Sequence, residues 1–222
     1  KRDWSSDVCS SDLALVKTML DHPRITLQTG VRATALSQVA TGWRLVLSDG
    51  SKLDAERVVL ADAFGELSPV RLAVDKARGQ LSSLPAREGQ NLEMIVCRDG
   101  YITPAVNGAH AIGATIQYDD EQASARWADD EENFRRLERL LPGFAHSAAQ
   151  LKSSRVSWRA TTQDRLPLVG KIAEGLYASL GHGSRGIACA PLCAEWLASL
   201  MLGEPLPMGA EWVARLNPLR FR

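Results

Sequence analysis

The sequence predicts an α/β fold, a mix of helices and mostly antiparallel strands, on three observations. Alternating apolar and polar residues at hairpin spacing recur twice, across residues 31–60 and 92–115. An amphipathic helical pattern follows at Asp129–Leu141. Near the end, a strand pattern at Leu176–Leu180 runs through a glycine-rich loop into a long apolar helix, the strand–turn–helix order of an α/β layer.

Residues 1–13 (KRDWSSDVCSSDL) repeat the triplet SSD, are polar, and share no helical or strand period with the residues after them. They read as a non-native or disordered tail, of the kind left by translated adapter sequence, and are set aside from the fold. On the adapter reading the protein extends upstream. Ala14–Leu20 reads as the end of a helix closed by Asp21-His22-Pro23, and Ile25–Gln28 as a short strand leading to Gly30. Val31–Val39, Trp43–Leu47 and Leu53–Leu60 follow as strands, with turns at Thr41-Gly42 and Asp49-Gly50. Val58–Ala61 is apolar on both faces, as a strand inside a covered sheet would be.

After a linker near Ser68–Lys76 a second region begins at Ala77. Leu92–Cys97, Tyr101–Val106 and His110–Thr115 form a meander turning at Asp99-Gly100 and Asn107-Gly108. In the helix at Asp129–Leu141, the acids Asp129, Asp130, Glu131 and Glu132 suit the positive N-terminal end. Phe134, Leu137, Leu140 and Leu141 make its apolar stripe, and Pro142-Gly143 stops it. Val156–Arg159 is a strand returning toward the first region. The last helix reaches Leu202, with Gly203 and Pro205 beyond. Pro191 either lies in the first turn of a helix starting near Ala190 or kinks a longer one.

The bulk numbers bound the function. At 222 residues the chain can bury a sizeable core. Lys+Arg and Asp+Glu are both 26, and this zero formal charge counts against a dedicated nucleic-acid binder. The four cysteines, Cys9, Cys97, Cys189 and Cys193, lack the density of a disulfide framework. No signal-peptide pattern is seen, and no apolar run reaches the ~20 residues of a membrane span. A reducing cytoplasm and no membrane partner are the expectation.

Candidate chemistry concentrates between Trp158 and Glu195. Gly181-His182-Gly183-Ser184-Arg185-Gly186 lies between a strand and a helix, so its backbone N–H groups sit at a positive helix end and can approach an anionic ring edge or phosphate. An ordinary strand-to-helix turn is the plainer reading. Arg159 supplies a donor fork matched to a carboxylate, or pairs with Asp164 on the surface. Asp164 and Arg165 shape the turn rather than react. Cys189 and Cys193 lie one helical turn apart with His182 nearby, but three soft ligands at this spacing fit no common zinc pattern, so they read as core and no metal is expected. The four histidines (His22, His110, His146, His182) show no nucleophile partner.

The wording DRLPLVG (Asp164–Gly170) followed by GHGSRGIACAPLCAE (Gly181–Glu195) resembles the C-terminal signature of the D-amino-acid-oxidase-like flavoproteins. Within them it resembles the FAD-dependent half of the bacterial bifunctional enzymes that modify the tRNA wobble uridine, the MnmC family. The resemblance covers essentially everything after residue 13. It implies a discontinuous FAD-binding domain, 14–75 and 160–222, enclosing an antiparallel substrate domain at 76–159. It further implies Gly181, Gly183, Ser184, Arg185 and Gly186 against FAD, and Arg78-Gly79-Gln80 where the chain crosses toward the flavin. Arg159, first in the R-x-x-T-x-D-x-x-P pattern, would hold the substrate carboxylate. Tyr101, in the run DGYITPA, would line the pocket unless it is simply a half-buried sheet tyrosine.

The implied reaction oxidises the C–N bond of 5-carboxymethylaminomethyl-2-thiouridine to aminomethyluridine and glyoxylate. Two other readings stand beside it: a small-molecule amine or amino-acid oxidase of the same superfamily, and a truncated non-catalytic module. The G-x-G-x-x-G turn of the family's first strand, with an acidic residue some way beyond, that would hold the FAD pyrophosphate and adenosine ribose does not appear, nor does the methyltransferase half. Both are expected in missing N-terminal segments, so this stretch alone is expected to bind FAD poorly. Asp62-Ala63 stands where relatives often carry Asn or Gly.

Overall fold

The computed structural model describes residues 10–90, 92–145 and 147–222, so the expectations for Cys9, His146 and most of the N-terminal tail lie outside the described residues. The chain divides into two compact units, each taken by itself below. Unit 1 is built on Lys76–Arg159, and unit 2 on Ala14–Asp75 with Ala160–Arg222.

The described chain opens with α1 (Ser10–Leu20), which corrects the boundary expected at residue 13: Ser10–Leu13 belong to the helix. Ile25–Gln28 is not a strand; every residue there is exposed and none pairs with a neighbouring strand. β1 (Ala33–Val39), β2 (Gly42–Leu47) and β3 (Lys52–Ala55) form an antiparallel meander. Trp43 points inward from β2, and its indole N–H donates to the Glu174 carbonyl at 2.9 Å. β4 (Val58–Leu60) then leaves the meander, correcting the single strand expected over Leu53–Leu60. The Val58 N–H is taken by the Gly175 carbonyl at 2.8 Å, which steers β4 into a different sheet. Val58 and Leu60 are buried while Val59 is exposed, so among the described residues only one face of β4 is covered.

Unit 1 is a sheet with a helix on one face. β5 (Asp75–Pro85), β6 (Val96–Cys97), β7 (Tyr101–Ile102), β8 (Ala109–Gly113), β9 (Gln117–Tyr118), α2 (Trp127–Leu140) and β10 (Ser153–Thr161) follow in order. The sheet runs β10-β5-β8-β7-β6, with β9 pairing to the start of β5. Sequence reading missed β5 because it lacks an apolar alternation: it carries Arg78, Gly79, Gln80, Ser82 and Ser83 yet is buried for most of its length. Leu84, Ile102 and Ile112 pack against Leu137 of α2. Asp129 and Asp130 stand in the first turn of α2, as the dipole reading expects, and are also buried under it. They are kept there by hydrogen bonds from the sheet below.

The chain returns to unit 2 through β11 (Leu168–Ala173), β12 (Leu176–Leu180), a 3-10 turn at Gly183–Arg185, α3 (Gly186–Leu202) and α4 (Glu211–Leu216). β11 pairs antiparallel to β12, and β12 lies parallel to β4. Val169, Tyr177, Cys193, Trp196, Leu197 and Leu216 form the core beneath α3. α3 begins four residues before Ala190, so Pro191 lies inside it and withholds the N–H that the Ile187 carbonyl would accept. Gly203 ends the helix in the left-handed region, as expected. Gly183–Leu202 is long and apolar enough, by length and composition alone, to cross a membrane, which corrects the expectation that no run is. In unit 2, Cys193, Trp196, Leu197 and Ser199 of this stretch are buried.

Candidate functional site

In unit 2 the glycine loop begins where β12 ends in the fully buried Leu180. Gly181 holds φ +64°, and a Cβ there would stand 3.0 Å from Thr162 Cγ2, so a close approach as well as the backbone angle demands glycine. Gly183 holds φ +58° with nothing nearer to a would-be Cβ than Thr161 Cγ2 at 4.0 Å, which leaves its outer face open. The 3-10 turn then feeds α3, whose N-cap residue Arg185 makes no capping side-chain hydrogen bond. No N-cap side chain therefore occupies the positive end of the helix. Thr161 Oγ1 is buried and has no hydrogen-bond partner among the described residues. An open glycine cradle, uncapped amides and an orphan hydroxyl on the residue facing Gly183 together fit the polar edge of a bound ring such as a flavin. Ser184 and Arg185 are exposed.

The turn after β4 carries the departure noted in the sequence. Ala63 sits at φ +69°, a conformation suited to glycine or asparagine. Asp62 stabilises the turn by accepting the N–H groups of Gly65 and Glu66.

Asp164 does shape its turn. Arg220 grips it with two parallel N–H donors at 2.8 and 2.9 Å. Asp164 also accepts from Leu166 N–H and Thr162 Oγ1. Burial pushes the Asp164 carboxyl up, but Arg220 and the Leu166 N–H outweigh it and leave the group below the usual carboxylate range. No local pattern could have found Arg220, which lies 56 residues away. A shallow depression of about 480 Å³ bordered by Asp164, Leu166, Ala214, Arg215, Arg220 and Phe221 includes none of the glycine-loop residues.

In unit 1, Tyr101 and Arg159 come to the same face of the sheet. Gln80 and Ser82 of β5 and Ser154 of β10 all reach Asp130 of α2, which fixes the helix side. Alternation places Leu81 and Arg159 on the opposite side. Tyr101 registers across Gly113 from Leu81 and packs with Leu81 and Ala114. Tyr101 is buried and Arg159 half-buried.

Arg78 and Gln80 turn their side chains to the helix side of β5. The Arg78 side chain is completely enclosed and donates to Asp129 (2.8 Å), to the Gln122 carbonyl (2.6 Å) and to the Ser124 carbonyl (2.9 Å). Gln80 is equally enclosed and bridges Arg126 and Asp130. These two side chains tie α2 and the preceding loop to β5, with their donors engaged inside the unit rather than presented to a ring. Gly79 is buried between them.

The cysteines stand at the core, as expected: Cys189 packs against the cluster that contains Cys193. Cys193 is buried, but Cys189 is only half-buried and lies 3.7 Å from His182 Nδ1. The Cys193 thiol and then His182 stabilise the Cys189 thiolate and draw its pKa down to about 5, while the same hydrogen bond and burial push Cys193 up.

Comparison with known proteins now places the chain. Residues 5–200 match the family model described as DAO, FAD dependent oxidoreductase. Two curated relatives carry the name tRNA 5-methylaminomethyl-2-thiouridine biosynthesis bifunctional protein MnmC. The one from Thiobacillus denitrificans is 38% identical over 224 residues, covering 94% of this chain and 36% of the relative. The one from Chromobacterium violaceum is 34% identical over 273 residues, covering 99% and 41%. The chain thus spans little more than a third of the length of such relatives. Among solved structures, glycine oxidase from Geobacillus kaustophilus superposes with a TM-score of 0.74 at 23% identity, over 88% of this chain and 54% of that one. L-proline dehydrogenase from P. horikoshii gives 0.71 at 17%, over 89% and 55%. These two likenesses establish the fold. Taken with the family match across most of its length, they show that the chain belongs to the DAO family of FAD dependent oxidoreductases.

Proposed function

We propose that this chain is the C-terminal part of an oxidase acting on the carboxymethylamino group of the tRNA wobble uridine, converting 5-carboxymethylaminomethyl-2-thiouridine to 5-aminomethyl-2-thiouridine and glyoxylate. One observation carries the reading: an uncapped strand–glycine-loop–helix unit with an open cradle at Gly183, in a chain that matches relatives of that name along 94% of its length. Bound FAD would supply the two-electron acceptor for oxidation of the C–N bond. The amides of Gly181, Gly183, Ser184, Arg185 and Gly186 would hold its polar edge.

The substrate's methylene lies between an amine and a carboxylate. Loss of hydride from it gives an imine, which water splits into the amine and glyoxylate. Arg159 fixes the carboxylate through its planar fork. Tyr101, on the same sheet face, lines the pocket. The pyrophosphate-binding turn and the methyltransferase activity implied by the relatives' bifunctional name belong to segments outside this stretch, and action on bacterial tRNA implies a cytoplasmic enzyme.

The test uses full-length enzyme loaded with FAD and tRNA carrying the carboxymethylaminomethyl group, with glyoxylate release as the readout. Arg159→Lys should raise KM for the tRNA at least tenfold and change kcat less. The zero formal charge favours a second reading, oxidation of a free amino acid. Turnover of glycine or sarcosine with an inert tRNA would establish that reading and refute the first.

A further inference from the structure

The start of α3 holds a cluster that flavin binding does not use. His182, Cys189 and Cys193 each offer one ligand atom, and the three atoms lie within 4.8 Å of one another. A tetrahedral ion with bonds of about 2.3 Å to sulfur and about 2.0 Å to nitrogen separates sulfur from nitrogen by roughly 3.5 Å and sulfur from sulfur by roughly 3.8 Å. The distance of 3.7 Å from Cys189 Sγ to His182 Nδ1 is within about 0.2 Å of the sulfur–nitrogen edge.

The helical spacing chooses between the two things a cysteine pair can do. Residues i and i+4 on a helix hold their Cβ atoms about 5–6 Å apart. A disulfide needs about 3.5–4.5 Å. A single cation bridges i and i+4 ligands without moving the backbone, as paired helical histidines do. The ring of His182 is set for the same task. Its Nε2 lies 3.0 Å from Ser179 Oγ on β12, which orients Nδ1 toward the sulfurs. An outer hydrogen bond of this kind commonly fixes a ligating imidazole. Cys193 is buried, whereas His182 and Cys189 are half-buried, so an ion can enter from one side.

We propose that His182 Nδ1, Cys189 Sγ and Cys193 Sγ form a binding site for one thiophilic divalent cation of the zinc class, with the fourth position left to water. Binding forms two metal–sulfur bonds and one metal–nitrogen bond and releases the remaining thiol proton to solvent, with no change of oxidation state. His182 immediately precedes Gly183, so the ion would fasten the glycine loop to the second turn of α3.

Cobalt(II) is the probe. In a Cys9→Ser/Cys97→Ser background, which removes the other two thiols, one equivalent of Co²⁺ should bind with near-ultraviolet sulfur-to-cobalt charge-transfer absorption and visible tetrahedral bands, both abolished by one equivalent of Zn²⁺. Cys189→Ser and Cys193→Ser should each remove the charge-transfer band or halve it with at least a hundredfold loss of affinity. His182→Gln should weaken binding at least tenfold and shift the visible bands. Cys189 is half-buried, so Cys189→Ser remains informative if Cys193→Ser fails to fold; circular dichroism reports which variants are native. Absence of a charge-transfer band in the folded parent, or a band that survives unchanged in Cys189→Ser, overturns the proposal.

Discussion

Replacing Arg78 by Met distinguishes a guanidinium that holds unit 1 together from one that reaches a flavin. The side chain is enclosed and donates to two backbone carbonyls, those of Gln122 and Ser124, and to the Asp129 carboxylate. Methionine fills similar volume but leaves both carbonyls buried without a donor, at about 1–3 kcal/mol each. Asp129 is not stranded, because Arg126 Nε still donates to it at 3.0 Å. The sum is therefore near the lower half of what breaking a buried ion pair costs, about 3–4 kcal/mol. With a urea m-value of about 2 kcal/mol/M, the midpoint of unfolding should fall by roughly 1.5–2 M. Hydrogen exchange should accelerate across Trp127–Leu140 and the 119–126 loop, which Arg78 tethers. Arg78→Lys keeps a charge but cannot span the same acceptors, and should lose about half as much. A midpoint shift under about 0.5 M for Arg78→Met, with exchange across α2 unchanged, would refute the tethering argument. Loss of flavin affinity in so stable a variant would return Arg78 to the ring.

Three further outcomes follow from the same structure. Gly183→Val should strain a φ of +58° and fill the open cradle, lowering FAD affinity of the full-length enzyme at least tenfold by fluorescence titration while leaving its melting temperature within a few degrees. Ala63→Gly relieves a left-handed alanine at φ +69° and should raise stability by about 0.5–1 kcal/mol in denaturant unfolding. The Asp164 carboxyl is depressed in the folded state, so its contribution is fully present above the ordinary carboxylate pKa and is lost as pH falls through the lower folded value. Unit 2 of Asp164→Asn should show a shallower loss of stability below about pH 4 than the parent, measured as the acid shift of its thermal midpoint.

What could be read from the sequence was whatever is set by neighbours along the chain. β12 and the Gly203 stop of α3 follow from a short apolar run and a left-handed glycine, and both stand where expected. The same local logic failed where a tertiary partner overruled it. Leu53–Leu60 looks like one strand until the Gly175 carbonyl captures Val58 and diverts β4. Ile25–Gln28 has strand-forming side chains but pairs with no strand among the described residues. β5 escaped notice for the converse reason: its polar residues are buried, and buried polar side chains are tolerated only when their partners are in place. Those partners, Gln122, Ser124, Asp129 and Asp130, lie 44–51 residues further on for Arg78 and its neighbours.

The candidate site divides along the same line. The glycine loop is contiguous, so its backbone freedom and its place between β12 and α3 were legible; the partnerless Thr161 hydroxyl beside Gly183 was not, because being unpaired is a property of the surroundings. A motif match assigns a residue type to a position and says nothing of which way the side chain turns. For Arg78 and Gln80 that direction is decided by α2, whose buried acids draw both side chains to the helix side of the sheet. For Tyr101 and Arg159 strand alternation sends them to the other side. The face of the unit 1 sheet away from α2 thus carries an aromatic ring and a carboxylate-matching cation, while the face under α2 uses its charges for its own cohesion. Reversing one of them tests that division: Gln80→Leu should cost stability without touching substrate recognition, and Arg159→Lys should do the opposite. If Gln80→Leu instead raised KM for tRNA at unchanged melting temperature, the two faces would not be separated as argued.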